Sequence, residues 1–147
     1  MMKWTQQIPL TLSTERCMFK LNLLDGLIGM NDLKIFHGVI EKDMPFIELQ
    51  SQDEMHLGFW AMDPFPYVEN YILEVAQEDL DQLDIREGQD ALFLTLATMN
   101  SHTIALNLVA PILINRKTQI GKQIVLENYK KYSVRHIIYE GAAQCLC

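Results

Sequence analysis

Along residues 16–24 apolar and polar side chains alternate, with Cys17, Phe19, Leu21 and Leu23 on one side and Lys20 and Asn22 on the other. That is the period of a strand packed on one face and wet on the other. Six further runs alternate or are continuously apolar, and each ends in turn-forming residues: 34–41, 46–51, 57–62, 91–99, 104–114 and 118–127. Asp25-Gly26 and Ile28-Gly29 punctuate the first loop, where glycine accepts positive φ, and Asp63-Pro64-Phe65-Pro66 stops the strand ending at Met62. Only 76–84, AQEDLDQLD, has helical spacing, with Leu80 and Leu83 on one side and Glu78 and Asp79 near the positive N-terminal end. The pattern predicts an all-β fold: a small, barrel-like, strongly bent antiparallel sheet with one or two short helices. Closing such a sheet hides its edges. Pro111, lacking an N–H, belongs where a strand lies at an edge or bends from one part of the sheet to another.

With 147 residues, 49% of them hydrophobic, the chain can bury the core of one domain without disulfides. Its three cysteines form no framework: Cys17 lies in a strand-like run and Cys145 and Cys147 in a small-residue tail. No run reaches the about 20 apolar residues that span a bilayer, and MMKWTQQIPLTLS lacks the apolar centre of a signal peptide, so the expected location is the cytoplasm, away from membranes. The formal charge of -7 is unevenly spread. Residues 1–90 hold 17 Asp/Glu against 6 Lys/Arg, and residues 91–147 hold 2 against 6. An acid-rich first part argues against direct nucleic-acid binding, because Lys and Arg supply most phosphate affinity.

Candidate chemistry is sparse. His37, His56, His102 and His136 are scattered, no CxxC pair exists, and Cys145-x-Cys147 alone is a weak metal motif, so no metal is expected. Ser133 and His136 lack a nucleophile elbow, and Gly121-Lys122-Gln123 lacks the glycine spacing of a phosphate loop. No enzymatic activity is expected. An RNA-binding β-barrel is the competing class: Phe59, Trp60 and Phe93 could stack bases, although they read as core residues in acidic surroundings. The basic residues Arg116, Lys117, Lys122, Lys130, Lys131 and Arg135 read as a solvated hairpin face.

The stretch NLVAPILINRKTQIGKQ, residues 107–123, is more specific in its order than in its chemistry. Asn107-Leu108, Ala110-Pro111, Ile114-Asn115, Thr118, Gly121, Gln123 and Arg135-His136 match the C-terminal signature of the flagellar assembly factor FliW family, and Tyr132 stands where that family tends to carry an aromatic. Upstream, DGLIGMNDLKIF at 25–36, PFIELQS at 45–51, AMDPFPYV at 61–68 and AQEDLDQLDI at 76–85 are similar to the family's first loop, second strand, Asp-Pro turn and short helix. Met30, where Phe is frequent, and Ala76, where a capping Ser is common, depart from the pattern; Ala cannot accept from the free N–H groups of a helix start. The resemblance covers about 15–137 and implies one domain over 1–147, with an N-terminal arm and a C-terminal tail.

It further implies a cytosolic protein that binds flagellin before export and also binds CsrA, the RNA-binding translational regulator. Free FliW antagonises CsrA; unexported flagellin occupies FliW and restores repression. No cofactor, nucleic acid or stable homo-oligomer is implied. Asn107, Ala110, Pro111, Asn115, Gly121, Gln123, Arg135 and His136 then read as signature residues that bond strand ends and turns. The expected partner-binding residues are Asp63, Phe65, Tyr67, Glu69, Tyr71, Glu74, Glu78, Asp79 and Asp81. Phe65, Tyr67 and Tyr71 follow the Asp-Pro break as either interface anchors or caps of the barrel. The acidic run Glu69, Glu74, Glu78, Asp79, Asp81, Asp84, Glu87 and Asp90, relieved in sequence only by Arg86, is either a field that repels RNA phosphates beside CsrA or a solvated face.

Overall fold

The computed structural model describes residues 2–141, so Cys145 and Cys147 lie outside the described residues. The described residues form eleven strands: β1 (Met2–Trp4), β2 (Arg16–Leu23), β3 (Ile35–Glu41), β4 (Ile47–Ser51), β5 (Gly58–Met62), β6 (Leu73–Val75), β7 (Ala91–Met99), β8 (Thr103–Leu106), β9 (Ile112–Asn115), β10 (Ile120–Gln123) and β11 (His136–Glu140). Among the described residues one short α-helix, α1 (Gln77–Gln82), follows β6, and single 3-10 turns form at Gly88–Asp90 and Tyr129–Lys131. The large sheet runs β11-β8-β7-β5-β4-β3-β2-β10-β9, and β9 returns to pair with β7. Seven strands therefore close into a barrel, with β8 and β11 as an extension and β1-β6 as a separate ribbon. Closure is not wholly antiparallel: β10 pairs in parallel with β2, through Ile120–Asn22 and Gly121–Leu23.

The apolar run 104–114 is two strands rather than one. Along the same edge of β7, residues 97–99 pair with β8 and residues 91–94 pair with β9. Between them the chain must leave the sheet and re-enter it. Asn107 builds that corner by accepting the N–H groups of Val109 and Ala110 on its Oδ1, both at 3.1 Å. Pro111 has no N–H to lose there, while its carbonyl accepts Ile124 N–H at 2.9 Å.

Leu21, Leu23, Phe36, Leu49, Leu94 and Ile112 are among the side chains that fill the barrel. Two inward positions are glycines because the interior is narrow. The Phe19 ring lies where a Cβ on Gly38 would stand, at 2.2 Å, and a Cβ on Gly121 would meet the Leu113 carbonyl oxygen at 2.9 Å. One end is sealed by Leu27 and Leu33 from the first loop and by Gln123, whose Nε2 donates to Ala110 O and whose Oε1 accepts Ile28 N–H. That loop turns through positive φ at Asp25, Gly26 and Gly29. Asp53 holds the entry to β3 by accepting the N–H groups of Lys34 and Ile35, both at 2.8 Å.

A second core lies outside the barrel. Outward side chains such as Phe93 and Leu113 pack beneath Trp4, Tyr71, Leu73, Val75 and Leu80, with Trp4 edge-on to Phe93 at 5.2 Å. This explains the two sequence patterns. β7 and β9 are covered on both faces and read as continuous apolar runs, whereas β2 alternates because its outer face is wet. Cys17 departs from the expected packed face: it is exposed, because the first residues of β2 reach the barrel's open end.

Gly121→Ala should cost about 2 kcal/mol by overpacking a site bounded by backbone, and lower the Tm by on the order of 5 °C in a thermal melt.

Candidate functional site

The acidic run is partly neutralised by Arg86 within it and by three lysines that the tertiary fold brings from elsewhere in the chain. Lys122 of β10 places Nζ 2.9 Å from Asp79 Oδ1 and 2.8 Å from Gln82 Oε1, tying α1 to the barrel. Lys3 pairs with Glu74 at 3.3 Å, Lys117 with Asp90 at 3.3 Å and Arg86 with Asp84 at 3.0 Å. The basic hairpin is therefore not simply a solvated face, and Glu74 and Asp79 are not free charges. Glu69, Glu78, Asp81 and Glu87 remain exposed and outside any ion pair among the described residues. Sequence distance hid this pairing: Asp79 and Lys122 meet only when β10 lies under the helix.

The Asp63 turn divides the expected aromatic anchors. Asp63 Oδ1 accepts Phe65 N–H at 3.0 Å, and Pro64 O accepts the N–H groups of Tyr67 and Val68, also at 3.0 Å. Phe65 is half-buried against Tyr71. Tyr71 itself is 2% exposed, so it cannot be an interface anchor. Its hydroxyl donates to Leu108 O at 2.7 Å, and its ring stands edge-on to Tyr132 at 4.9 Å. Burial, with a smaller contribution from Tyr132, holds the Tyr71 hydroxyl in its protonated form well above the usual range. Tyr67 is different: at 48% exposure it stands on the surface with Asp63, Pro66, Met44 and Pro45 around a cavity of about 190 Å³.

Leu10 and Ile40 also line that cavity, and both continue into a larger one of about 290 Å³ at the open end of the barrel. Here Cys17, Phe19, Ile40, Leu92 and Ile114 form a mostly apolar wall, and Leu10 to Leu12 of the N-terminal arm lie across it. The arm is anchored before that point by Gln7, whose amide donates to Phe93 O at 2.9 Å and accepts Phe93 N–H at 2.7 Å. It thereby pairs an edge of β7 that β5 does not reach, since β5 pairing stops at Thr95. Arg116 donates to the carbonyls of Ile8 and Ala91; partial burial lowers its pKa, opposed by Asp63. Sequence reasoning missed this site. Its signal was the alternation Ile8-x-Leu10-x-Leu12, too short to register as a strand.

The signature residues make turns and joints. Asn115 donates from Nδ2 to Leu83 O at 2.9 Å and accepts Lys117 N–H at 2.9 Å, joining the end of β9 to the segment after α1. Asn107, Ala110, Pro111 and Gln123 form the corner and its seal, and Gly121 allows the close approach of β10. Arg135 Nη2 lies 3.3 Å from Thr103 Oγ1, and His136 opens β11 opposite Leu106. Asn128, absent from the sequence reading, bridges β6 by accepting Glu74 N–H and donating to Ile72 O.

The aromatics considered for base stacking also separate. Phe93 is fully buried and Phe59 half-buried, whereas Trp60 is 42% exposed. Trp60 points from the barrel's outer face, opposite Glu48 and in a cross-strand row with Val39 and Met18. Its neighbour in that row is a carboxylate, an unfavourable setting for a phosphate backbone. Among the described residues, no three His, Cys, Asp or Glu side chains gather into a group that could hold a metal ion. No helix among them is long and apolar enough to cross a membrane.

A family model described as FliW protein matches residues 5–138. The flagellar assembly factor FliW of Clostridium novyi (strain NT) is 35% identical over 118 residues, 78% of this chain and 82% of that protein. The corresponding protein of Geobacillus kaustophilus (strain HTA426) is 38% identical over 117 residues, covering 78% and 80%. A crystal structure of the flagellar assembly factor FliW superposes with a TM-score of 0.73 at 33% identity, covering 81% of this chain and 84% of that one.

Tyr67→Ala should leave the melting temperature within a few degrees of wild type, whereas Tyr71→Phe should cost about 1–2 kcal/mol by orphaning the buried Leu108 carbonyl. Because the folded state raises the Tyr71 pKa, its stabilisation is complete below the unfolded value of 10.0 and is lost as pH rises beyond it. Denaturant titrations at rising pH should therefore show the advantage of wild type over Tyr71→Phe shrinking above about pH 10.

Proposed function

This chain belongs to the FliW family, and on that premise we propose that it is a cytoplasmic chaperone that binds flagellin before export. In the same reading it binds and antagonises CsrA, coupling flagellin synthesis to export. It acts by exchanging protein partners and not by catalysis. The observation that carries this reading is the family match over residues 5–138, which includes nearly every element of the described fold.

Two surfaces support the division of labour. The exposed Tyr67, held on a turn fixed by Asp63 and backed by Phe65, has the amphipathic character favoured at interface centres and is assigned to flagellin. The carboxylates Glu69, Glu78, Asp81 and Glu87, outside any ion pair among the described residues, supply the acidic surface assigned to CsrA. Held beside the RNA path, within a Debye length of about 8 Å, they would oppose incoming phosphates without filling the RNA site. Glu74, Asp79 and Asp90 contribute less to such a field because each carries its own lysine.

Calorimetry with the same organism's flagellin and CsrA should give binding to each, with flagellin displacing CsrA; heat from neither would sink the reading. Changing Glu69, Glu78, Asp81 and Glu87 together to lysine should weaken antagonism of RNA binding more than it weakens CsrA binding. Equal loss of both would make these carboxylates ordinary interface residues.

A further inference from the structure

The N-terminal arm is fastened on both sides of the barrel mouth but held loosely across it. Before the mouth, Gln7 bonds both polar backbone groups of Phe93, and Arg116 donates to Ile8 O. After it, Glu15 O accepts Lys42 N–H at 2.9 Å. Between these anchors, among the described residues, no backbone group from Pro9 to Ser13 bonds to the rest of the chain. Pro9 has no N–H to satisfy. The half-buried side chain of Leu10 packs against the barrel core, and that of Leu12, two residues on, borders the larger cavity. Their fit is incomplete, since the cavities of about 290 and 190 Å³ both border Leu10.

A segment that leaves space on both sides of its main contact, and surrenders no ladder hydrogen bonds when it lifts, is readily exchanged for a better-fitting one. We propose that the barrel mouth is a docking groove for an extended, uncharged segment of a partner protein carrying aliphatic side chains two residues apart. In the free protein, Pro9–Ser13 occupies the groove as an internal stand-in. The proposal rests on the reading of this chain as a protein-binding factor and assigns that binding a groove. The stand-in itself defines what the groove accepts. The wall of Cys17, Phe19, Ile40, Leu92 and Ile114 carries no charge, and Arg116 at its rim already serves two carbonyls. A charged side chain would lose its hydration there without gaining a partner. A longer, unbranched apolar side chain such as methionine at the Leu10 or Leu12 position would reach into the space those leucines leave. Tyr67, on the rim of the smaller cavity, extends the same surface outward.

The test opens the groove and supplies the stand-in from outside. A fluorescein-labelled peptide of Gln6–Ser13 is titrated by anisotropy against wild type and against L10S/L12S, with melting curves confirming that both are folded. Because a covered site binds with an affinity reduced by the fraction of molecules in the open state, the opened variant should bind at least about tenfold more tightly than wild type. The same peptide with serine at both leucine positions should not bind. Site occupancy is read at Cys17: in a C145S/C147S background, peptide should slow the reaction of its thiol with an aromatic disulfide reagent. Should L10S/L12S fail to fold, Gln7→Ala loosens the arm without altering the mouth and takes the same measurements. A folded, opened variant that ignores the peptide overturns the proposal, as does binding that leaves Cys17 unprotected. Wild type eluting as a dimer that L10S/L12S dissociates would make the groove a site of arm exchange between copies, and also overturns it. None of these readouts uses flagellin or CsrA, so failure here is distinct from failure of the proposed function.

Discussion

Strand β7 has to serve two partners along one edge, and the remaining architecture follows from how the chain supplies them. β8 takes the end of that edge and β9 the beginning, so the polypeptide must step out of the sheet at Asn107 and return after Pro111. The Asn107 side chain supplies acceptors for two N–H groups that leave the ladder, and proline presents none. Once β9 is in place, β10 folds back on it and meets β2 in parallel, and the barrel closes. Gly121 is required because β10 reaches β2 where no side chain fits. The corner also delivers the Leu108 carbonyl to Tyr71, which couples barrel closure to the outer core.

That outer core determines which surfaces remain for partners. Trp4, Tyr71 and Leu80 cover one side of the barrel, leaving the outer face of β2 to β5, the acidic face around α1 and the barrel mouth. Each has different physics. The acidic face acts at a distance and weakens with salt. The mouth is apolar, short-ranged and already occupied by the chain's own arm. A protein using both would recognise one partner by field and another by shape, and the two could respond differently to ionic strength.

Much of the barrel was legible because β2, β3, β4, β5 and β7 each carry a local period or an unbroken apolar run that no other residue can alter. Their observed bounds fall within a residue of the expected ones. The short pieces β1, β6 and β11 were not legible: three to five residues carry too little periodicity, and their pairing depends on neighbours far away in sequence. The site showed the same division. The Asp63 turn followed from its own chemistry, but which of Tyr67 and Tyr71 faced water depended on Leu108 and Tyr132 arriving from the other half of the chain.

By itself, then, the sequence determined an all-β, barrel-like fold interrupted at Pro111, an acid-rich first part and an ordered set of residues resembling one family, because these are properties of local spacing and composition; that the interruption is a corner between two strands came from the structure. Only the tertiary structure decided the parallel closure, the burial of Tyr71, the exposure of Cys17 and Trp60, and the cancellation of Glu74, Asp79 and Asp90 by Lys3, Lys122 and Lys117. Each of these is a meeting between residues distant along the chain or a consequence of where a strand ends. Periodicity specifies which face of a strand is apolar; it does not specify what arrives to cover it.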